Sequence, residues 1–235
     1  MSREAMGVPL FVNRRDVVTP GDLLAEGEFQ PGENALREGN RIYASKVGLV
    51  DVEGDRISVV PLKGCYFPKP GDLVIGRIVE AGLTGWEVDI FAPYPALLPM
   101  SETYTRGHAS KTDLSTIFST GDLVMAKVIA FDRTRDPLLT LKGPGLGKAF
   151  GNRLVRISPI KIPRLIGRKG SMINMLKRET GCRITVGQNG IVLVSGRDDK
   201  SERVAVEAIY RIEREAHTQG LTDGIEEMMR RELGR

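Results

Sequence analysis

Two glycines enclose two cations in the run Gly167-Arg168-Lys169-Gly170, which lies between Ile166 and the helically spaced Met172, Ile173 and Leu176. Glycine lets a main chain turn tightly and lets a phosphate come close to it, and the two central side chains bring positive charge to the same place. The pattern predicts a clamp for a nucleic-acid backbone. A G-x-x-G by itself is weak, because glycine is common. Here the apolar flanks and the stop at Thr180-Gly181 predict a short helix, the loop and a second helix over Ser171 to Thr180.

Net charge is only +4 for 235 residues, so the distribution of charge matters more than its sum. From Arg153 to Arg183 there are nine Lys or Arg against one acid, Glu179, a local +8 that leaves −4 for the rest of the chain. A patch of this kind suits a polyanion. The expected RNA-binding residues are Lys161, Arg164, Ile166, Gly167, Arg168, Lys169, Gly170 and Arg183. A second candidate region is the long polar stretch from Ser101 to Ser119, where Tyr104, Arg106, His108 and Lys111 are taken as an RNA-facing loop.

Other chemistries find little support. His108 and His217 are the only histidines, too far apart in sequence and too unsupported by cysteines or paired carboxylates to suggest a metal or acid–base site, and no cofactor is expected. Cys65 and Cys182 lie far apart and outside any C-x-x-C spacing, which argues against zinc and against a disulfide framework. No apolar run reaches membrane-spanning length, and Met1 to Phe11 lacks a signal-peptide pattern, so a soluble cytoplasmic protein is expected.

The elements that must position the loop read as three domains. Residues 1–66 contain strand-like runs at Arg41 to Val52 and Arg56 to Leu62 and predict a small all-β domain. Residues 67–147 supply five short strands, Leu73 to Val79, Trp86 to Phe91, Ala96 to Met100, Leu123 to Phe131 and Leu138 to Leu141, which suggest an OB-type five-stranded barrel. The Gly- and Pro-rich run Lys142 to Gly147 reads as neither helix nor strand and marks the next boundary.

Residues 148–235 read as an α+β domain in the order strand (Leu154 to Ile157), short helix (Ile162 to Ile166), G-x-x-G, helix, hairpin, long helix. Asn189-Gly190 signals the hairpin turn between Arg183 to Val186 and Ile191 to Ser195. The long helix starts near Asp198 or Asp199 with Ala205, Ala208, Ile209, Ile212 and Ala216 on one face. After Gly220 a C-terminal extension carries Ile225, Met228, Met229 and Leu233 and reads as a docking helix rather than a cofactor box.

Pro20-Gly21-Asp22-Leu23, Pro70-Gly71-Asp72-Leu73 and Thr120-Gly121-Asp122-Leu123 recur at a spacing of fifty residues. The residues that follow them differ, so they read as three independent strand starts and not as propeller blades.

Over its whole length the third domain resembles a type I KH domain, with Ile166-Gly167-Arg168-Lys169-Gly170-Ser171-Met172-Ile173 as its core. The second resembles an S1 domain, opened by Gly71-Asp72-Leu73-Val74-Ile75-Gly76-Arg77-Ile78 and closed by Gly121-Asp122-Leu123-Val124-Met125-Ala126-Lys127-Val128 with Asp132. An N-terminal β domain, an S1 domain and a single KH domain in this order are similar to the RNA-binding cap subunits of the archaeal exosome, the ribosomal RNA-processing protein four family.

That resemblance implies a multidomain, non-catalytic subunit that captures single-stranded RNA and feeds it to a ring of phosphorolytic 3'-to-5' exoribonuclease subunits. It also implies three copies per complex, alone or mixed with another cap subunit. The barrel departs from the family pattern. Positions where many S1 domains place stacking aromatics and a histidine are Thr84, Glu87 and Pro99 here. Trp86 shares its parity with Val88 and Ile90 and is expected in the core. With seven basic and nine acidic residues between Gly71 and Lys142, the barrel is expected to line a passage or hold partners.

The alternative reading is an S1/KH transcription elongation or antitermination factor. Those factors usually carry two KH modules of the other topology, whereas this chain ends after one. A free-standing ribonuclease would need clustered carboxylates or a Lys/His pair near the RNA, and the basic stretch holds only Glu179.

Overall fold

The computed structural model describes residues 9–62, 64–103, 117–132, 134–216 and 220–234. Two compact units are formed, one ending at Gly64 and one beginning at Cys65.

The first unit is all β. Strands β1 (Val17–Val18), β6 (Gly48–Glu53), β7 (Arg56–Pro61) and β3 (Gln30–Pro31) form one sheet, and β2 (Leu23–Glu26), β5 (Arg41–Ala44) and β4 (Ala35–Glu38) form another. Leu24, Ile42, Val50, Ile57 and Val59 fill its core. The run Arg41 to Val52, read from the sequence as one strand, is two: it breaks between Ala44 and Gly48, and β5 and β6 join different sheets. Gly48 sits against the Val60 carbonyl, where a Cβ has no room.

The second unit opens with a closed five-stranded barrel of β8 (Leu73–Ala81), β9 (Gly85–Asp89), β10 (Ala96–Pro99), β11 (Leu123–Asp132) and β12 (Arg135–Thr140). Neighbours run β12-β10-β9-β8-β11, and the β11–β12 pairing closes the ring. Its interior is Val74, Ile78, Trp86, Val88, Ile90, Leu98, Val124, Ala126, Val128 and Leu139, from alternate positions along each strand. Trp86 is fully buried, stacked edge-on against Phe118 with its indole N–H donating to the Phe118 carbonyl at 3.3 Å. The boundary run is irregular up to Leu146 and ends in a strand, with Gly147–Lys148 forming β13 against β11 and Lys148 Nζ on Asp122 at 2.8 Å.

The three Gly-Asp openings fold alike. Gly21, Gly71 and Gly121 all have φ of 93–100°. Asp22, Asp72 and Asp122 each accept the backbone N–H three residues upstream, at 2.7, 3.2 and 3.0 Å. The shared feature is a turn that launches β2, β8 and β11.

The rest of the second unit places β14 (Arg153–Arg156), β16 (Ile191–Ser195) and β15 (Arg183–Val186) in one antiparallel sheet. Helices α1 (Ile162–Ile166), α2 (Ser171–Thr180), α3 (Asp199–Arg214) and α4 (Leu221–Leu233) share a core with Val155, Ile184, Val192 and Val194 of that sheet. Asp198 caps α3 by accepting the Ser201 N–H at 2.8 Å, which satisfies a donor the helix leaves open. Met228, Met229 and Ile225 of α4 lie in this same core, so the C-terminal piece docks on its own domain.

The other face of the three-stranded sheet is covered by the barrel. Ile191 and Leu193 form a second core with Ile75, against which Phe91, Leu123, Met125 and Ala149 pack. β16 is thus buried on both faces, as its four consecutive buried residues Ile191 to Val194 require. The loop between β15 and β16 completes the seam. Gln188 donates its N–H to the Leu73 carbonyl at 2.7 Å and accepts the Leu73 N–H at 2.6 Å.

Candidate nucleic-acid interface

The loop 167–170 is held from both ends. Gly167 closes α1 by donating its N–H to the Pro163 carbonyl at 2.9 Å, and Leu165 before it is buried. Met172 and Ile173 anchor the start of α2 in the core. Between these anchors Gly167 has φ 75° and ψ 174°, and Gly170 has φ 79°. A Cβ on Gly167 would stand 2.8 Å from the Met172 nitrogen and 2.9 Å from the Ser171 hydroxyl, so only glycine fits. Lys169 is left-handed as well, with φ 51°, an uncommon conformation for a long side chain.

Arg168 and Lys169 are exposed, and neither makes an ion pair among the described residues. Lys161, half-buried just ahead of α1, is unpaired in the same sense, and Ile166 packs against the core beneath the loop. Arg164 is exposed on α1. Arg183 is exposed but opens β15 beyond the far end of α2, a ten-residue helix that rises about 15 Å. The fold therefore gathers Lys161, Arg164, Ile166, Gly167, Arg168, Lys169 and Gly170, and sets Arg183 apart.

Two cations of the basic stretch face acids, most of them from later in the chain. Arg153 faces Asp199 and Glu202, and Arg178 faces Glu179 and Glu226. Glu179 lies between Arg178 and Arg230, and the Arg178 guanidinium holds its carboxyl below the usual range. Glu202 is pulled down chiefly by the Gly196 N–H, at 2.8 Å, with Asn152 and Arg153 adding to it. Arg153 and Arg178 thus add less free charge to the stretch than the count of nine suggested.

On the barrel, Thr84 and Glu87 are exposed and Pro99 is half-buried, none of them a stacking side chain. Phe67, Tyr94 and Phe131 instead form a group with ring centres 5.2–6.1 Å apart, Phe67 meeting the other two edge-on, and Phe67 and Tyr94 are about half exposed. These three lie in separate turns and strand ends, and no periodicity in the sequence links them. Tyr104, Arg106, His108 and Lys111, and also His217, lie outside the described residues. Among the described residues no group of three His, Cys, Asp or Glu is arranged to hold a metal, and no helix is long and apolar enough to cross a membrane. Cys182 is buried, and burial pushes its thiol pKa up.

Sequence reasoning missed the second role of the hairpin turn. Asn189 is 3% exposed, and its side-chain amide accepts from Ile75 N–H and donates to the carbonyls of Ile75 and Ile90. The signal was the apolar run Ile191-Val192-Leu193-Val194, too uniformly buried for a sheet with one wet face.

Comparison with known proteins gives three family models in succession: the exosome RNA binding protein RRP4 N-terminal domain over residues 15–63, the RRP4 S1 domain over 65–130 and the KH domain over 153–211. Among curated relatives, the exosome complex component Rrp4 of Thermococcus kodakarensis is 50% identical over 94% of this chain and 87% of its own length. That of Pyrococcus abyssi is 47% identical over 94% and 84%, and that of Thermofilum pendens 43% over 96% and 97%. A crystal structure assigned as an exosome complex RNA-binding protein superposes with a TM-score of 0.66 at 40% identity, covering 73% of this chain and 98% of that one.

Proposed function

The chain belongs to the Rrp4 family of exosome components, and from that premise we propose that it is a non-catalytic subunit that captures single-stranded RNA and delivers it to a phosphorolytic 3'-to-5' exoribonuclease ring. The observation that carries the RNA-binding part is the loop 167–170. It presents two exposed cations without acidic partners among the described residues, on a backbone whose glycines leave the main chain open to a phosphate. Lys161, Arg164, Ile166, Gly167, Arg168, Lys169 and Gly170 form the binding surface around it, with Arg183 as a more distant contact and Tyr104, Arg106, His108 and Lys111 as a further RNA-facing loop.

The non-catalytic reading draws support from the one acid within the basic stretch. Glu179 is held between Arg178 and Arg230 and is not aimed at the loop as a base would be. We place the domain limits at residues 1–66, 67–147 and 148–235; the break after Gly64 supports the first of them. The protein is taken to act in the cytoplasm, in three copies on the ring, alone or together with another cap subunit. The names of the relatives favour this reading over an elongation or antitermination factor.

The test is affinity capture of the tagged chain from its own cells, followed by mass spectrometry. Recovery of two phosphorolytic subunits in stoichiometric amounts is expected. Recovery of RNA polymerase in their place would overturn the assignment.

A further inference from the structure

The seam between the barrel and the KH sheet carries two cations that the loop 167–170 does not use. Arg77 lies on β8 two residues from Ile75 and therefore on the face of that strand turned toward the sheet. Arg156 stands opposite Ile191 on β14 and points to the same side of the sheet as Ile191. Both guanidinium groups converge on one ring, Phe91, at 5.7 Å and 4.7 Å from its centre. Both side chains are exposed, and neither makes an ion pair among the described residues.

This pairing differs from the other arginines of the seam region. Arg153, on the same strand as Arg156, is matched by Asp199 and Glu202. Asp89 sits across from Arg77, yet its carboxylate Oδ1 accepts the Phe91 N–H at 2.7 Å and makes no ion pair with either arginine. That bond helps hold Phe91 at φ 56°, a left-handed conformation that is uncommon for an aromatic residue and that fixes the ring both cations contact. Two like charges gathered on one ring repel each other, and a bound anion removes that cost. A guanidinium stacked on an aromatic face still offers its N–H groups in plane to a phosphate.

We propose that Arg77, Arg156 and Phe91 form a phosphodiester-binding site, a second RNA contact that continues the path from the loop 167–170 onto the S1–KH seam. The path is continuous in the chain. Arg156 leads through Ile157 to Pro159, the segment against which Gly190 packs, to the unpaired Lys161 and then through α1 to the loop. The seam is also rigid, because Asn189 and Gln188 fasten the hairpin to β8, so the two cations are set before RNA arrives.

This inference rests on the RNA-binding reading above, and RNA length separates the two. The full chain and an Arg77→Gln, Arg156→Gln variant are titrated with oligoadenylates of about four and about fifteen nucleotides, the shorter being about the number a G-x-x-G loop clamps. Each titration is repeated over a salt series. The variant should bind the short RNA as the parent does and the long RNA several-fold more weakly, its salt slope falling by about 0.7 for each phosphate that is no longer neutralised. An Arg77→Lys, Arg156→Lys variant keeps both charges and should keep the slope, and melting curves of all three chains report whether the seam holds.

Unchanged long-RNA affinity and slope in the glutamine variant would overturn this inference alone. So would lower melting with unchanged RNA binding, which would make the pair a clamp between domains. Failure of the parent chain to bind either RNA would overturn the RNA-binding reading and this inference with it.

Discussion

Asn189 pairs with Ile75 as a neighbouring strand would. Its Oδ1 accepts the Ile75 N–H at 3.2 Å and its Nδ2 donates to the Ile75 carbonyl at 2.8 Å, across 114 residues of sequence. The same Nδ2 reaches the Ile90 carbonyl at 2.8 Å, so one buried amide satisfies three backbone groups of the barrel. A turn residue of the KH hairpin therefore sets the position of that domain against the S1 domain.

Asn189→Ala leaves those three groups buried without partners and should destabilise the second unit by about 2–4 kcal/mol. Asn189→Asp should cost more, because a carboxylate would replace the N–H donor against two carbonyl oxygens. Urea unfolding followed by the fluorescence of Trp86, the single tryptophan, measures both. Parent-like midpoints for the two variants would mean that the apolar contact of Ile75 with Ile191 and Leu193 carries the seam unaided.

Trp86→Ala empties a fully buried site and removes the indole bond to Phe118, for an expected loss of about 3–5 kcal/mol. RNA affinity measured below the melting transition should stay at the parent value. Normal stability with poor RNA binding would contradict the inward placement of this side chain.

Lys169→Gly separates backbone from charge within the loop. Relief of the left-handed φ of 51° offsets the extra freedom that glycine gains in the unfolded chain, so stability should change by no more than about 0.5 kcal/mol. RNA affinity should still fall, because one of the two exposed cations is gone. Gly167→Ala should behave in the opposite sense and lower the melting temperature, since its Cβ meets the Met172 nitrogen.

Acid should destabilise the KH domain through Glu202 and Asp198. The Gly196 N–H holds the first below the usual carboxylate range, and the Ser201 N–H does the same for the second. A carboxyl depressed on folding stabilises above its unfolded pKa, and that contribution is lost as pH falls through the folded value. Stability should therefore be level near neutrality and decline below the ordinary glutamate value of 4.5. Glu202→Gln should shrink that decline in melting temperatures taken across the acid range. An identical pH profile for parent and variant would contradict the assignment.

The parts legible in the sequence were those fixed by local rules. Alternation along a strand placed Trp86 with Val88 and Ile90 in the barrel, and helical spacing placed Ala205, Ala208, Ile209 and Ile212 in one face of α3. The loop 167–170 declared itself because glycine and charge requirements fall on adjacent residues. What stayed hidden depends on contacts distant in sequence. Arg153 and Arg178 counted as free cations until Asp199, Glu202 and Glu226 came beside them. Asn189-Gly190 satisfied the local rule for a turn so well that it left no sign of the seam. The break at Ser45 to Val47 escaped for a related reason, since a strand-like run does not reveal which sheet each half joins.

The N-terminal unit has its own core and ends at Gly64, so a chain lacking residues 1–62 should retain a folded second unit and RNA binding. That unit lacks a concentrated basic patch, which makes it the candidate contact with the ring, so it should be needed for stimulation of RNA phosphorolysis at limiting substrate. Full stimulation by the truncated chain would move the ring contact elsewhere.

RNA titration of an Arg168→Asp, Lys169→Asp variant tests the central claim most directly, because it reverses both loop charges while leaving Gly167 and Gly170 in place. With a circular dichroism spectrum matching the parent, the variant should lose most of its affinity for single-stranded RNA, and the parent's affinity should fall steeply with salt. Parent-like RNA binding by a correctly folded variant would contradict the account.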